Sequence, residues 1–195
     1  MTQTPTPIDQ ADIADLRARI RGDVLRPSQE GYATVGFNPA VSRRPWAVID
    51  AADAHDVAAA VSFAADNSMT VAVHATGHGA TSVDGKSLLV RTAALDTCDV
   101  DPDTRTARIG AGVRWQRVID AAAPYGLAPL CGSAPGVGVA GFLSGGGIGP
   151  LVRTVGVSSD YVRAFEVVTG DGRLRRVTAD VDPDLFWGLR GGKAT

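Results

Sequence analysis

The sequence predicts an α+β fold, and three observations predict it. Helical spacings and short β runs both occur, but they do not alternate as a doubly wound sheet requires. One β-α-β unit is legible, followed by strands in hairpin settings. Residues 134–150, APGVGVAGFLSGGGIGP, hold seven glycines and one polar side chain, Ser144. That composition makes a poor helix and a poor strand interior, so the stretch reads as a loop wrapped around a large flat ligand.

The elements follow in order. Ile8, Ile13, Leu16 and Ile20 lie at helical spacing and predict an amphipathic helix over 8–21, which Gly22 stops. Residues 26–46 carry Pro, Gly, Ser and Asn without periodicity and form a lead-in. Residues 47–50 make a short strand, and Asp53 caps a helix running to about Asp66 with Val57, Val61 and Ala64 on one face. Residues 70–74, TVAVH, form a buried strand that leads into the turn HATGHG. Residues 88–91, 97–100 and 106–111 are strands, with Asp101-Pro102-Asp103 as a turn. Trp115, Val118, Ile119 and Ala122 share one face of a helix over 113–125. Residues 162–168 and 173–178 flank Gly170-Asp171-Gly172 as a hairpin. A final helical segment over 182–189 buries Phe186 and Trp187.

Composition bounds the function. The 195 residues suffice for one domain with a core, and 45% hydrophobic and 21% charged residues are ordinary for a globular fold. Nineteen basic against 21 acidic residues leave no basic surface, which disfavours nucleic acid and anionic membrane as partners. No apolar run reaches a membrane span, and the N-terminus has no signal-peptide pattern, so a cytoplasmic protein is expected. Rich Ala, Val, Arg and Gly usage points to a GC-rich bacterial gene. Cys98 and Cys131 fit neither a metal spacing nor a disulfide framework, and no metal site is expected. The chain stops on a Gly-rich turn after Arg190, which reads as an incomplete chain.

Two Gly-bearing loops in one domain point to a nucleotide-type cofactor. In His74-Ala75-Thr76-Gly77-His78-Gly79, followed by Ala80, successive backbone N–H groups can form an anion nest. The spacing is neither a dinucleotide fingerprint nor a phosphate-binding P-loop, and a plain strand-to-loop turn with His78 on the surface is the competing reading.

Four motifs in register carry a resemblance. They are His74-Ala-Thr-Gly77-His78; Val137-Gly138-Val-Ala-Gly141-Phe-Leu-Ser144-Gly145-Gly146-Gly147-Ile-Gly149; Val155-Gly-Val-Ser-Ser-Asp160-Tyr-Val162; and Asp184-Leu-Phe-Trp-Gly-Leu-Arg190-Gly-Gly192. In that order they resemble the FAD-linked oxidases of the vanillyl-alcohol-oxidase type, in particular the berberine-bridge-enzyme-like branch, from about Arg43 onward. The resemblance implies a PCMH-type FAD-binding domain of two α+β subdomains with FAD between them, spanning 43–195, with 1–42 as an N-terminal helix and lead-in. It implies that residues 75–80 hold the diphosphate through main-chain N–H groups. Residues Ala134 to Gly149, with Gly136 among them, would lie along the flavin and ribityl chain, and Asp160 and Val162 would stand nearby. His78 falls on the histidine that many members bond to the flavin 8α-methyl group, for which a neutral imidazole is a suitable nucleophile; a histidine that only hydrogen-bonds the cofactor is the alternative.

The departures are specific. Ala134 stands where some members carry a second attachment cysteine, so double attachment is not expected, and Cys131 reads as a small buried hydrophobe. His74 replaces an arginine, Ala140 a glycine and Lys193 a glycine. Asp160 also fits a turn cap, Trp115 fits core, His55 fits surface, and Arg173, Arg175 and Arg176 fit a solvated strand edge. The implied activity is that of an FAD-dependent oxidoreductase passing a hydride from a small organic substrate to flavin N5. The bases would come from regions outside this chain, so no catalytic residue is named. A catalytically silent FAD-binding fragment and a non-flavin nucleotide-binding module are the competing functions.

Overall fold

The computed structural model describes residues 12–79 and 81–192, which divide into two units. The first runs to Ala94 and takes in Val168–Leu174; the second holds Leu95–Val167 and the chain from Arg175 onward. The predicted start of the first helix at Ile8 lies outside the described residues.

The first unit is built on a four-stranded sheet. Its strands are β1 (Asp23–Leu25), β2 (Ala47–Asp50), β3 (Thr70–His74) and β4 (Ser87–Arg91), in the order β1-β2-β4-β3. β1 runs antiparallel to β2, and β2, β4 and β3 are mutually parallel. Helices α1 (Ile13–Arg19) and α2 (Ala54–Asp66) belong to the same unit. Asp12 caps α1 by accepting from Ala14 N at 2.8 Å, and Asp53 caps α2 by accepting from His55 N at 2.8 Å and Asp56 N at 3.1 Å.

The expectation that β3 is buried fails. Val73 is 68% exposed, because β4 inserts between β2 and β3 and leaves β3 at the edge. The reason is composition: Ser87 to Val90 are all buried, so β4 needs cover on both faces and takes the centre. One sheet face packs Ile49, Leu88 and Val90 with Leu16, Ala60 and Phe63, and the other packs Val48, Leu89 and Val83. Each of these buried Val, Leu, Ile and Phe side chains contributes about 1.5–3 kcal/mol. α2 buries Ala60, Phe63 and Ala64, whereas Val57 and Val61 are only half-buried. Phe63 stacks on Trp46 at 5.9 Å, and Val57 packs against the same core from the edge of that face.

The second unit begins with the hairpin β5 (Cys98–Asp101) and β6 (Thr106–Ile109), closed where the Asp101 carboxylate accepts from Asp103 N and Thr104 N. α3 (Trp115–Ala122) runs into a 3-10 turn, Ala123–Tyr125, that Gly126 ends at φ 67°. Val113, Trp115, Val118 and Val139 form this unit's core, and Trp115 meets Phe142 edge-on at 5.4 Å. Short helices α4 (Val139–Ser144) and α5 (Val152–Val155) follow, then a 3-10 turn at Ser158–Tyr161. β7 (Phe165–Val168) pairs with β8 (Leu174–Val177), and α6 (Pro183–Leu189) ends the described chain.

Two expectations need correction here. Residues 134–150 are not all loop, since Val139–Ser144 is helical. Val139, Phe142 and Leu143 sit at i, i+3 and i+4 and pack on the second core, and that burial overrides the low propensity of Gly141. Phe186 is 5% exposed but Trp187 is 75% exposed. Adjacent residues on a helix point about 100° apart, so only Phe186 reaches Phe165, 5.9 Å away. Among the described residues no helix is long and apolar enough to cross a membrane.

Candidate functional site

The HATGHG turn leaves the C-terminal end of β3, where the His74 carbonyl accepts from Thr92 N at 3.0 Å. Ala75 and Thr76 are half-buried bends. Gly77 reverses the chain at φ 72°, a left-handed conformation that favours glycine. A Cβ there would lie 2.6 Å from His74 Cε1 and 2.9 Å from Gly36 Cα. His78 and Gly79 form the exposed tip, and Ala80 lies outside the described residues.

The lead-in segment holds this turn. Phe37 N donates to the Gly77 carbonyl at 3.1 Å, and the Phe37 ring stands 5.3 Å from the His78 imidazole. Arg43 Nη1 lies 2.7 Å from His74 Nδ1. A guanidinium only donates, so Nδ1 accepts and the ring is the neutral Nε2–H form. Arg43 Nη2 is buried and makes no hydrogen bond, and burial lowers the guanidinium pKa. Sequence reasoning missed Gly36, Phe37 and Arg43, because their partners are remote in the chain. The absence of an arginine at position 74 was the one local signal.

The remaining predicted residues belong to the second unit. Ala134, Gly136, Gly141 and Gly145 are exposed, and Val137 packs against the core. Residues 135–139 are pinned beside the start of α3: Trp115 N donates to the Val137 carbonyl, Gln116 N to Pro135, and Val139 N to Val113. Gly138 caps α4, and Ser144 Oγ donates to the Gly141 carbonyl at 3.3 Å. A Cβ on Gly141 or Gly146 would meet no atom within 4 Å. Gly147 and Gly149 are packed instead. A Cβ on Gly147 would lie 2.8 Å from Ser158 Cβ, and one on Gly149 would lie 2.3 Å from the Cys131 carbonyl oxygen.

Asp160 is exposed in its 3-10 turn and Val162 is half-buried. Asp160 helps line a cleft of about 330 Å³ with Trp187, Arg190, Gly191 and Gly192. Gly191 approaches Gly146, its Cβ position 3.5 Å from Gly146 Cα, and Arg190 lies 5.0 Å over the Phe186 ring. The motif around Asp184–Gly192 was legible, but the meeting of Gly191 with Gly146 was not. Cys131 is half-buried against the second core, Trp115 is core, and His55 is exposed at the start of α2.

Comparison with known proteins gives this arrangement a family. The family described as an FAD binding domain matches residues 45–178. The (R)-6-hydroxynicotine oxidase of Paenarthrobacter nicotinovorans is 31% identical over 177 residues, 88% of this chain and 38% of that protein. FAD-linked oxidoreductase ZEB1 of Gibberella zeae is 40% identical over 146 residues, 70% of this chain and 26% of that protein. The chain thus spans about two fifths or less of the length of these relatives. Among solved structures, glucooligosaccharide oxidase of Acremonium strictum, described as carrying a 6-S-cysteinyl, 8α-N1-histidyl FAD, superposes with a TM-score of 0.82 at 28% identity. It covers 96% of this chain and 40% of that one. The fold is the PCMH-type FAD-binding fold, and the chain belongs to the FAD-binding domain family of the vanillyl-alcohol-oxidase-type FAD oxidases.

Proposed function

We propose that this chain is the FAD-binding part of an FAD-dependent oxidoreductase and that His78 attaches the cofactor covalently. The observation that carries the reading is the tip of the first turn. Gly77 and Phe37 fix the backbone there, and the His78 imidazole is left exposed. The residues fit the group, since Gly141 and Gly146 present backbone with open space where a Cβ would stand. The N–H groups of residues 75–80 hold the diphosphate. Gly136, Val137, Gly138, Gly141, Ser144 to Gly147 and Gly149 hold the flavin and ribityl chain, with Asp160 and Val162 beside them.

When bound, FAD accepts a hydride at N5 from a small organic substrate. His78 would hold the cofactor by a bond from its ring nitrogen to the 8α carbon. The methyl C–H and the imidazole N–H break, and one electron pair and two protons pass to the flavin ring, which is left two-electron reduced. The bond would prevent loss of the cofactor. Ala134 offers no thiol for a second bond. We place the domain proper at 43–195 with 1–42 as its lead-in, in a cytoplasmic, bacterial enzyme that engages neither nucleic acid nor membrane.

Spectroscopy of the purified full chain tests this. The expected protein is yellow, its colour stays with the precipitate in acid, and His78→Ala releases it. Colour released from the unaltered protein would reject the covalent bond. A colourless protein that FAD fails to protect against heat would reject the FAD reading itself.

A further inference from the structure

Taking residues 75–80 as the diphosphate turn, we propose that Arg43 is a positioning residue that supplies this turn's fixed positive charge, acting through His74 at its start. The turn begins on a histidine that its own hydrogen bond keeps neutral, so it carries no permanent cation of its own. The chain brings one in from 31 residues upstream. Arg43 is anchored by backbone bonds on either side of it: Arg44 N donates to the Val83 carbonyl at 2.8 Å, and Val83 N donates to the Ser42 carbonyl at 3.1 Å. Its Nη1 reaches His74 Nδ1 at 2.7 Å.

The packing around the guanidinium is made for it. A Cβ on Gly36 would lie 2.1 Å from Arg43 Nη2, so the lead-in leaves this space for the cation. No carboxylate among the described residues pairs with it, and Nη2 stays buried without a hydrogen bond. A half-buried cation without a counter-ion is unfavourable unless an anion comes near. Here the group lies beneath a glycine turn of the kind that binds diphosphate through its backbone. Donation to Nδ1 also fixes the proton on Nε2, which makes His74 a hydrogen-bond donor.

The test uses the full chain in a His78→Ala background, so that binding is reversible. FAD and riboflavin, which lacks the diphosphate, are titrated by flavin fluorescence at several salt concentrations. Arg43→Gln keeps a neutral donor to His74 and removes the charge. It should weaken FAD about ten- to thirty-fold, as expected for a unit charge at intermediate dielectric, and leave riboflavin unchanged. The salt dependence of FAD binding should flatten, Arg43→Lys should restore part of the affinity, and adding His74→Arg to Arg43→Gln should restore most of it. Equal weakening of both ligands, or no weakening of FAD, would overturn the proposal for Arg43. A parent protein that already fails to prefer FAD to riboflavin would overturn the diphosphate turn and this proposal with it. Thermal unfolding of each variant separates loss of fold from loss of charge.

Discussion

Gly147 and Gly141 lie six residues apart and make opposite predictions. Gly147 has φ 72° and a Cβ position 2.8 Å from Ser158 Cβ, so Gly147→Ala should destabilise the protein by about 1–3 kcal/mol, read as a lower midpoint in urea. Gly141 is inside α4 with open space at its Cβ, so Gly141→Ala should raise stability by about 0.5–1 kcal/mol. If the flavin lies against Gly141, the same substitution weakens FAD binding while the protein becomes more stable. Gain of stability with unchanged FAD affinity would remove Gly141 from the site. At this scale the sequence made the glycine clusters, His78 and the Asp53 cap legible. It could not separate glycines that pack on protein from those facing open space, because the packing partners, Ser158 and the Cys131 carbonyl, come from neighbouring segments.

Elements were legible where a local signal fixed them and illegible where order in space decided. The Asp53 cap marked the start of α2, and hydrophobic spacing placed α2 and α3 to within a few residues, while α1 is shorter than the predicted 8–21 at its C-terminal end. The place of β4 between β2 and β3 depended on which strand is apolar on both faces. One buried side chain ties the first unit's elements together. Asp56, in the first turn of α2, accepts from Arg21 N at 2.8 Å, Gly22 N at 3.0 Å and Ala52 N at 2.8 Å. Asp56→Ala strands these donors and should cost about 3 kcal/mol or more in chemical denaturation. Three further carboxylates set an acid dependence. The N–H groups of Asp56 and His55, then Arg21, hold Asp53 below its ordinary value. The Lys86 N–H and the Ser87 hydroxyl do the same for Asp84, and the Thr104 hydroxyl and N–H for Asp101. A lowered native value means that the unfolded chain takes up protons first as pH falls. The stabilisation is therefore complete above the ordinary value of 3.8 and is lost below it. The melting temperature should fall as pH drops below about 4, and Asp53→Asn, Asp84→Asn and Asp101→Asn should each flatten that slope.

For the whole molecule, four weak motifs in fixed order identified the family that residues 45–178 then matched. The contribution of Phe37 and Arg43 escaped notice, because the lead-in has no periodicity and its partners lie in a turn beyond α2. We propose that the turn at 75–79 and the glycine-rich stretch at 136–149 each contact FAD. Hydrogen–deuterium exchange of the full-length His78→Ala protein, with and without saturating FAD, tests it most directly. The account predicts that FAD slows amide exchange in residues 75–79 and also in 136–149. Protection confined to one of these segments, or absent from both in a protein that binds FAD, would contradict it.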